Sequence, residues 1–409
     1  MSSSFSRYPR QRRTSGGGGS SYPSYGGGSR SGGGRNNRKS LKQNIHPSKF
    51  IKEAKVVEVI PYVSTNSFAD FEVHPLIKQN IIDKGYITPS AIQDQAIPHG
   101  LDGRDIVGIA NTGTGKTAAF AIPMLHAIMT DKTRKGLVIA PTRELAEQIE
   151  QECRAFAKGS GIRGAVLIGG SPMGAQMRDL SANPNIVIGT PGRMKDHVER
   201  GTLNLASFNI IVLDEVDRML DMGFINDIRF LLDAANHERQ SLFFSATLDP
   251  KIEQLIGSFL DNPVTVSVRT GATSENVNQD VVYYNHSSEK LDKLHDVLIS
   301  ESVGKTLIFD ETKRGVERLG RELQERGFKV DALHGDKTQG QRAKALRRFK
   351  SSEINVLVAT DVAARGIDVA DITHVINFST PNTYDDYTHR IGRAGRAGRI
   401  GYALTFVSK

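Results

Sequence analysis

The strongest constraint on the fold is a rhythm of short, continuous apolar runs separated by segments of helical length. From Phe68 onward these runs are Asp105 to Ala110, Leu137 to Ala140, Ala165 to Ile168, Ile186 to Ile188, Ile210 to Leu213 and Leu242 to Phe244. A strand with one wet face alternates apolar and polar residues. Strands that do not alternate are buried on both faces, and when helices separate them they form a parallel sheet covered on either side. Around Asn262 to Asp280 the rhythm lapses into Pro, Gly, Ser, Thr and Asn. It then resumes with Val281 to Tyr284, Thr306 to Phe309, Val330 to Ala332, Val356 to Ala359, His374 to Asn377 and Ala403 to Val407. The expectation is two α/β domains over residues 46–268 and 281–409, joined by a linker at 269–280.

Charge separates the first 45 residues from this body. The chain of 409 residues carries 53 Lys plus Arg against 45 Asp plus Glu, a net charge of +8. Arg7, Arg10, Arg12, Arg13, Arg30, Arg35, Arg38, Lys39, Lys42 and Lys49 lie in the first fifty residues with no acid among them, so the body is close to neutral. Residues 1–45 are otherwise Gly and Ser with Phe5, Tyr8, Tyr22 and Tyr25, too poor in aliphatic residues to bury a core, and are expected to be disordered. Arg and Tyr in such a tail can pair with phosphates and stack on bases; the plainer reading is a solubilising spacer. The single cysteine, Cys153, excludes an intramolecular disulfide framework and a Cys-based zinc site and fits a reducing, cytoplasmic setting. The most apolar stretch, Ala118 to Met129, is far shorter than the roughly 20 residues of a membrane span.

Local chemistry is sharpest at Ala110-Asn111-Thr112-Gly113-Thr114-Gly115-Lys116-Thr117, which follows an apolar strand and opens a helix. Glycines there let backbone N–H groups close around phosphates, the helix start adds positive potential, Lys116 is a mobile cation for the same oxygens, and the Thr117 hydroxyl suits Mg²⁺. Ala110 stands where a first Gly is usual, a position that needs only a small residue. About a hundred residues on, the strand Ile210 to Leu213 delivers Asp214-Glu215-Val216-Asp217. By itself such a cluster is more often a helix N-terminal charge pattern. Beside a phosphate loop, Asp214 can hold Mg²⁺ through its water shell and Glu215 can act as general base on the attacking water. In the second domain, Asp361 to Asp368 follows a strand, and His389-Arg390-Ile391-Gly392-Arg393-Ala394-Gly395-Arg396 presents arginines from a glycine-broken turn. Guanidinium groups aimed across a cleft at a γ-phosphate accelerate hydrolysis by about 10³- to 10⁵-fold in other NTPases. Read in isolation, that turn is a solvated basic one.

These motifs, in this order, resemble the DEAD-box ATP-dependent RNA helicases of helicase superfamily 2, bacterial type, over Phe68 to Lys409. The resemblance implies two tandem RecA-like domains, RNA-stimulated hydrolysis of ATP with Mg²⁺, and a core that works as a monomer away from membranes. Gly85-Tyr86-Ile87-Thr88-Pro89-Ser90-Ala91-Ile92-Gln93 is similar to the family's adenine-reading motif, with Gln93 on the adenine edge, Tyr86 stacked on the ring and Phe68 the isolated upstream aromatic. The nucleotide set implied is Phe68, Tyr86, Gln93, Thr112, Gly113, Thr114, Gly115, Lys116, Thr117, Gly366 and Asp368, with Asp368 reaching the ribose. Catalysis is implied for Lys116, Asp214, Glu215, Arg393 and Arg396.

RNA contacts are implied at Pro141 and Arg143, Gly170, Thr190 and Arg193 in the first domain, and at Arg314, Arg342 and Thr360 in the second. Read without the family, Thr142 and Thr190 are helix caps. Coupling between domains is implied for Ser245, Thr247, Asp217 and His389.

The resemblance makes single-stranded and short duplex RNA the partners, with ribonucleoprotein or RNA-decay proteins as companions. Local strand separation or remodelling of RNA–protein complexes would follow from domain closure on ATP and RNA. An ATP-gated RNA clamp or chaperone with little unwinding needs the same motifs. Two departures from the family are visible. Val216 replaces an alanine and is expected to crowd the strand exit, and the sequence stops at Lys409 where the family adds a helix, so the chain is either truncated or that sheet face is covered differently.

Overall fold

In the computed structural model, residues 45–54, 62–111, 113–268, 273–300, 303–364, 367, 369, 371–395 and 399–409 are described. Two parallel sheets account for them. The first contains β1 Ile106–Ala110, β2 Gly136–Ile139, β3 Gly164–Leu167, β4 Ile186–Gly189, β5 Ile210–Leu213, β6 Gln240–Ser245 and β7 Val264–Val268, in spatial order β3-β4-β2-β5-β6-β1-β7. The second contains β8 Val277–Tyr284, β9 Lys305–Phe309, β10 Val330–Leu333, β11 Val356–Ala359, β12 Ile372–Asn377 and β13 Gly401–Ser408, in order β10-β11-β9-β12-β13-β8. Every pairing inside both sheets is parallel.

Helices α1 Pro75–Asp83, α2 Ala91–Leu101, α3 Lys116–Thr130, α4 Arg143–Phe156, α5 Met173–Ser181, α6 Pro191–Glu199, α7 Val216–Asp221, α8 Ile225–Asp233 and α9 Pro250–Phe259 flank the first sheet. Helices α10 Ser287–Leu298, α11 Lys313–Glu325, α12 Gln339–Lys350, α13 Asp361–Ala364 and α14 Tyr384–Ile391 flank the second. The absence of alternation in the central strands has its expected cause. In β5, Ile210 and Val212 face one hydrophobic cluster while Ile211 and Leu213 face another, and all four are fully buried. Each such side chain contributes about 1.5–3 kcal/mol relative to an exposed one. Helix α3 is apolar almost all round because it is sandwiched between the sheet and neighbouring helices, not because it spans a membrane. Among the described residues no helix is long and apolar enough to cross a bilayer.

Three features depart from the sequence reading. Strand β7 lies inside the segment read as a lapse; it is an edge strand whose Val264, Val266 and Val268 alternate with Thr265 and Ser267, so no continuous apolar run announces it. Strand β8 begins at Val277, four residues before the run that signals it and within the expected linker. Residues 46–54, assigned from the sequence to the first domain, pack on the second sheet instead. Lys52 and Gln279 exchange both backbone hydrogen bonds, at 2.9 and 2.7 Å, and Phe50 is buried among Val277, Tyr387, Ile391 and Ala403. Phe50 thereby covers part of one face at the β8–β13 end. The basic tail at residues 1–44 lies outside the described residues.

Candidate nucleotide and RNA site

In both sheets the expected site residues gather at the carboxyl ends of strands, where parallel α/β sheets place their ligand sites. The first sheet divides them by position. Strands β1, β5 and β6 are followed by the glycine loop, the acidic cluster and Ser245-Ala246-Thr247, whereas the adjacent β2, β4 and β3 are followed by Pro141-Thr142-Arg143, Thr190 and Gly169-Gly170. Nucleotide chemistry and the expected RNA contacts thus occupy neighbouring halves of one edge.

The loop after β1 enters α3 through Gly113 and Gly115, both at positive φ of 83° and 92°. A Cβ on Gly115 would overlap the amide of Gln93, so glycine is required by space as well as by backbone conformation. Lys116 is 6% exposed, and its Nζ has no hydrogen-bond partner, although both Asp214 and Glu215 feel its charge. A buried ammonium without a partner is costly unless an anion completes it. Thr114 Oγ1 donates to the Asn111 carbonyl at 2.8 Å, closing the loop on itself, and Thr117 stands at the second helical position beside Lys116. Thr112 lies outside the described residues.

Asp214 and Glu215 are buried at the end of β5. Burial, and then the like charge of Glu215, push the Asp214 carboxyl up to about 6 against the opposing pull of Lys116. Burial alone would raise Glu215 too, but Arg218, Lys116 and Arg393 outweigh it and hold it below the usual range. Arg218 Nη1 donates to Glu215 Oε2 at 2.6 Å. Glu215 itself sits in the left-handed region at φ 55°, a strain concentrated where the carboxylate must turn into the cavity. Asp217 accepts from the backbone N–H of Ala246 at 3.0 Å, and its own N–H donates to Ser245 Oγ at 3.3 Å. Ser245 and Asp217 are therefore hydrogen-bonded to each other; Thr247 is exposed. Val216 does not crowd the strand exit. It is fully buried and fills the cluster beneath β5.

One cavity collects these groups from both sheets. It is lined by Tyr86, Lys116, Thr117, Asp214, Glu215 and, from the second lobe, Arg393. Arg393 is 4% exposed, and its Nη1 donates to the Ile367 carbonyl at 3.0 Å. Tyr86 presents its ring to the cavity and is braced edge-on by Phe68, centroids 5.6 Å apart, and by Phe156 at 5.8 Å. Phe68 is buried behind Tyr86. Gln93 is hydrogen-bonded within the protein through both atoms of its amide. Its Oε1 accepts from Ser90 N–H at 2.9 Å and its Nε2 donates to the Gly115 carbonyl at 3.1 Å, while Ser90 Oγ donates to the Thr114 carbonyl at 2.7 Å. Gln93 therefore props the phosphate loop, a role signalled by the Ser-x-x-Gln capping box at the start of α2.

Arg390, which the sequence reading left without a role, is the keystone of the second lobe's turn. It forks onto Asp361 at 2.5 and 2.7 Å, donates to the Ser379 carbonyl at 2.7 Å and lies over the Phe309 ring. His389 is half-buried on the same helix, one residue before it. Thr360 is buried at the end of β11, and Arg314 is exposed in the first turn of α11. Gly366, Asp368 and Arg396 lie outside the described residues.

On the other half of the first edge, Arg143 packs against Gly169 and Gly170, and Gly170 adopts φ +83°. Burial and the guanidinium groups of Arg342 and Arg193 hold Arg143 below the usual guanidinium value, with Glu144 opposing. Arg193 Nη1 donates to the Ser171 carbonyl at 3.1 Å. Pro141 is buried; Thr142 caps α4 through a bond from Leu145 N–H at 3.2 Å, whereas Thr190 makes no side-chain cap on α6. Arg342, expected on RNA, donates to Glu144 at 2.6 Å and to the His334 carbonyl at 3.1 Å. Cys153 is buried, with its thiol pushed up to about 12 by burial, and lines a separate cavity of about 530 Å³ at the far edge of the first lobe.

Fold and site together define a class: two RecA-like lobes, one with a phosphate-binding loop and the other turning an arginine into the same cavity. Residues 90–255 match the DEAD/DEAH box helicase family and residues 289–398 match the helicase conserved C-terminal domain. The chain belongs to the DEAD/DEAH box helicase family. It is 42% identical over 341 residues to the ATP-dependent RNA helicase CshA of Listeria monocytogenes, covering 83% of this chain and 66% of that one. To the DEAD-box ATP-dependent RNA helicase CshA of Bacillus licheniformis it is 43% identical over 345 residues, covering 84% and 71%. It thus spans about two thirds of the length of these relatives. The structure of Saccharomyces cerevisiae Dbp5 bound to RNA and ADP BeF3 superposes with a TM-score of 0.74 at 30% identity, covering 84% of this chain and 90% of that one.

Proposed function

We propose that the chain is an ATP-dependent RNA helicase: it hydrolyses ATP when RNA is bound and separates short duplexes locally. The single observation that carries this reading is the shared cavity. Lys116, Asp214 and Glu215 of the first lobe face Arg393 of the second, so a triphosphate held there touches both. The unpartnered, buried Lys116 ammonium supplies the attraction for phosphate oxygens. The residues also fit Mg²⁺ by the chemistry of their oxygen donors, since the Thr117 hydroxyl and the Asp214 carboxyl line the same cavity as Lys116; these two would hold it, and it would neutralise charge on the phosphates. Glu215 polarises the attacking water as general base, Arg393 stabilises the charge that develops on the transferred phosphoryl group, and Ser245 with Asp217 relays the state of the acidic cluster to the lobe interface.

The cluster of Arg143, Arg193 and Gly170 favours RNA as the second ligand. The Arg143 guanidinium, its basicity lowered by burial and by the neighbouring charges of Arg342 and Arg193, lies next to glycine backbone and suits a phosphate chain, and contacts of that kind fix register without reading bases. Closure on a bent single strand excludes its partner. The proposed domain limits are those of the two sheets, with residues 45–54 moved to the second. The tail at 1–44 adds sequence-independent RNA affinity; deleting residues 1–40 weakens binding and flattens its dependence on salt. The decisive assay compares a labelled duplex with ATP against a non-hydrolysable analogue, together with Glu215→Gln. Unwinding and RNA-stimulated hydrolysis that both vanish in Glu215→Gln support the assignment. Hydrolysis at the wild-type rate in that variant removes Glu215 as the base, and hydrolysis without strand separation favours the clamp.

A further inference from the structure

The cluster around Phe50 is separate from the phosphate groups and explained by none of them. Phe50 is 1% exposed, its ring is 4.7 Å from that of Tyr387 on α14, and it shares a hydrophobic cluster with Val277 at the start of β8 and Ile391 at the end of α14. Tyr387 Oη donates to Gln279 Oε1 at 3.0 Å, and Gln279 is the residue whose backbone pairs with Lys52. Ala54 N–H donates to Asn278 Oδ1 at 2.8 Å. The arm at 45–54 is therefore stitched to β8 by backbone and side chain, and wedged under α14 by one aromatic ring.

What the wedge supports is the arginine turn. Helix α14 carries His389 and Arg390 and runs through Ile391 into Gly392 and Arg393. Gly395, two residues past Arg393, lies at φ +69°, and a Cβ there would stand 2.9 Å from Val277 and 3.0 Å from the Asn276 carbonyl. The turn thus rests directly on Val277, and Val277 rests on Phe50. A void beneath α14 loosens the geometry of an arginine that must meet a phosphate within fractions of an ångström.

We propose that residues 45–54 are a brace of the second lobe, and that Phe50 is a positioning residue for Arg393. The proposal rests on the ATPase reading above. The segment from Tyr62 to Asn66 is held on the first lobe, where Asp94 of α2 accepts from Tyr62, Thr65 and Asn66. Eight residue steps join Ala54 to Tyr62, a reach of at most about 28 Å.

The test uses the full chain, the chain lacking residues 1–44, and the chain lacking residues 1–54, with Phe50→Ala and Phe50→Leu in the full chain. At saturating RNA, Phe50→Ala is expected to lower kcat for ATP about tenfold with KM for ATP within about twofold, and Phe50→Leu to restore most of the loss. Measured against the chain lacking 1–44, removal of 1–54 lowers kcat as Phe50→Ala does in the full chain and is relieved by a synthetic peptide of residues 42–54. A kcat within twofold of wild type in Phe50→Ala overturns the proposal. So does a loss that neither leucine nor the peptide relieves and that comes with a collapsed thermal midpoint. If the wild-type chain shows no RNA-stimulated hydrolysis, the functional reading has failed. Amide exchange over residues 384–395 then decides the brace alone: about tenfold faster exchange in Phe50→Ala upholds it, and unchanged exchange overturns it.

Discussion

Arg342 Nε lies 2.6 Å from Glu144 Oε1 across 198 positions of sequence, and both side chains are less than a tenth exposed. Beside it, Gln339 Nε2 donates to Glu147 at 3.0 Å, so the start of α12 is docked on the start of α4. Because Arg143 adjoins Glu144, this lobe-to-lobe contact sits next to the expected RNA contacts. Removing one member of a buried pair strands the other charge, at a cost of about 3–5 kcal/mol, more than the pair itself is worth. Glu144→Gln and Arg342→Gln are each expected to reduce RNA-stimulated ATP hydrolysis strongly, and the double variant to be less impaired than the product of the two. A double-mutant cycle on kcat measures this; strictly multiplicative effects would show that the pair does not couple the lobes.

Asp94 holds the segment preceding α1 by hydrogen bonds from Tyr62 Oη at 2.6 Å, from Thr65 N–H at 2.7 Å and from the backbone and side chain of Asn66 at 3.0 and 2.7 Å. Burial would raise this carboxyl, but the four bonds outweigh it and hold it below the ordinary value. The stabilisation is therefore complete above the usual carboxylate range, near about pH 4, and is lost as acid takes the solution down through the lowered folded value. Asp94→Asn should cost about 1–3 kcal/mol at neutral pH. Thermal midpoints of wild type and variant should converge as the pH falls below about 4; a constant gap would mean that the carboxylate's charge contributes nothing.

Val216 fills the cluster under β5 together with Met219, Ile228 and Leu231. Replacing it with alanine, the residue its family is named for, deletes buried methyl groups without touching Asp214, Glu215 or Asp217. Val216→Ala is expected to destabilise the first lobe by roughly 1–2 kcal/mol while ATP turnover stays within a few-fold. Denaturant unfolding and steady-state hydrolysis check the two halves of this statement separately.

The central strands were legible in the sequence because burial on both faces leaves a local trace, as at β5 and β11. The phosphate loop was legible because its chemistry is contiguous. Strand β7 was hidden by its edge position, where alternation replaces a continuous run. Residues 45–54 could not be placed, since Phe50 and Lys52 find their partners more than two hundred positions away and nothing nearby encodes that pairing. Arg342 and Arg390 show a third limit. A sequence displays a guanidinium but not its carboxylate, and here Glu144 and Asp361 pair with arginines 198 and 29 positions away.

Gly170 offers the sharpest separation of RNA binding from ATP chemistry. Its φ of +83° disfavours any side chain, and a Cβ would overlap the Arg143 guanidinium packed against it. Neither residue lines the cavity shared by Lys116, Glu215 and Arg393. Gly170→Ala should therefore displace Arg143 and weaken RNA affinity about tenfold or more, while nucleotide affinity without RNA is unchanged. Arg143→Ala should do the same, and the double variant should be no worse than either alone, because both remove one contact. Fluorescence anisotropy with a labelled single strand, at two salt concentrations, measures it. Losing one cation from the interface lowers the salt slope by about one in Arg143→Ala, and by less in Gly170→Ala, where the charge remains nearby. If Gly170→Ala binds RNA as wild type does, the β3 loop is a turn that α4 leans on rather than part of the RNA surface.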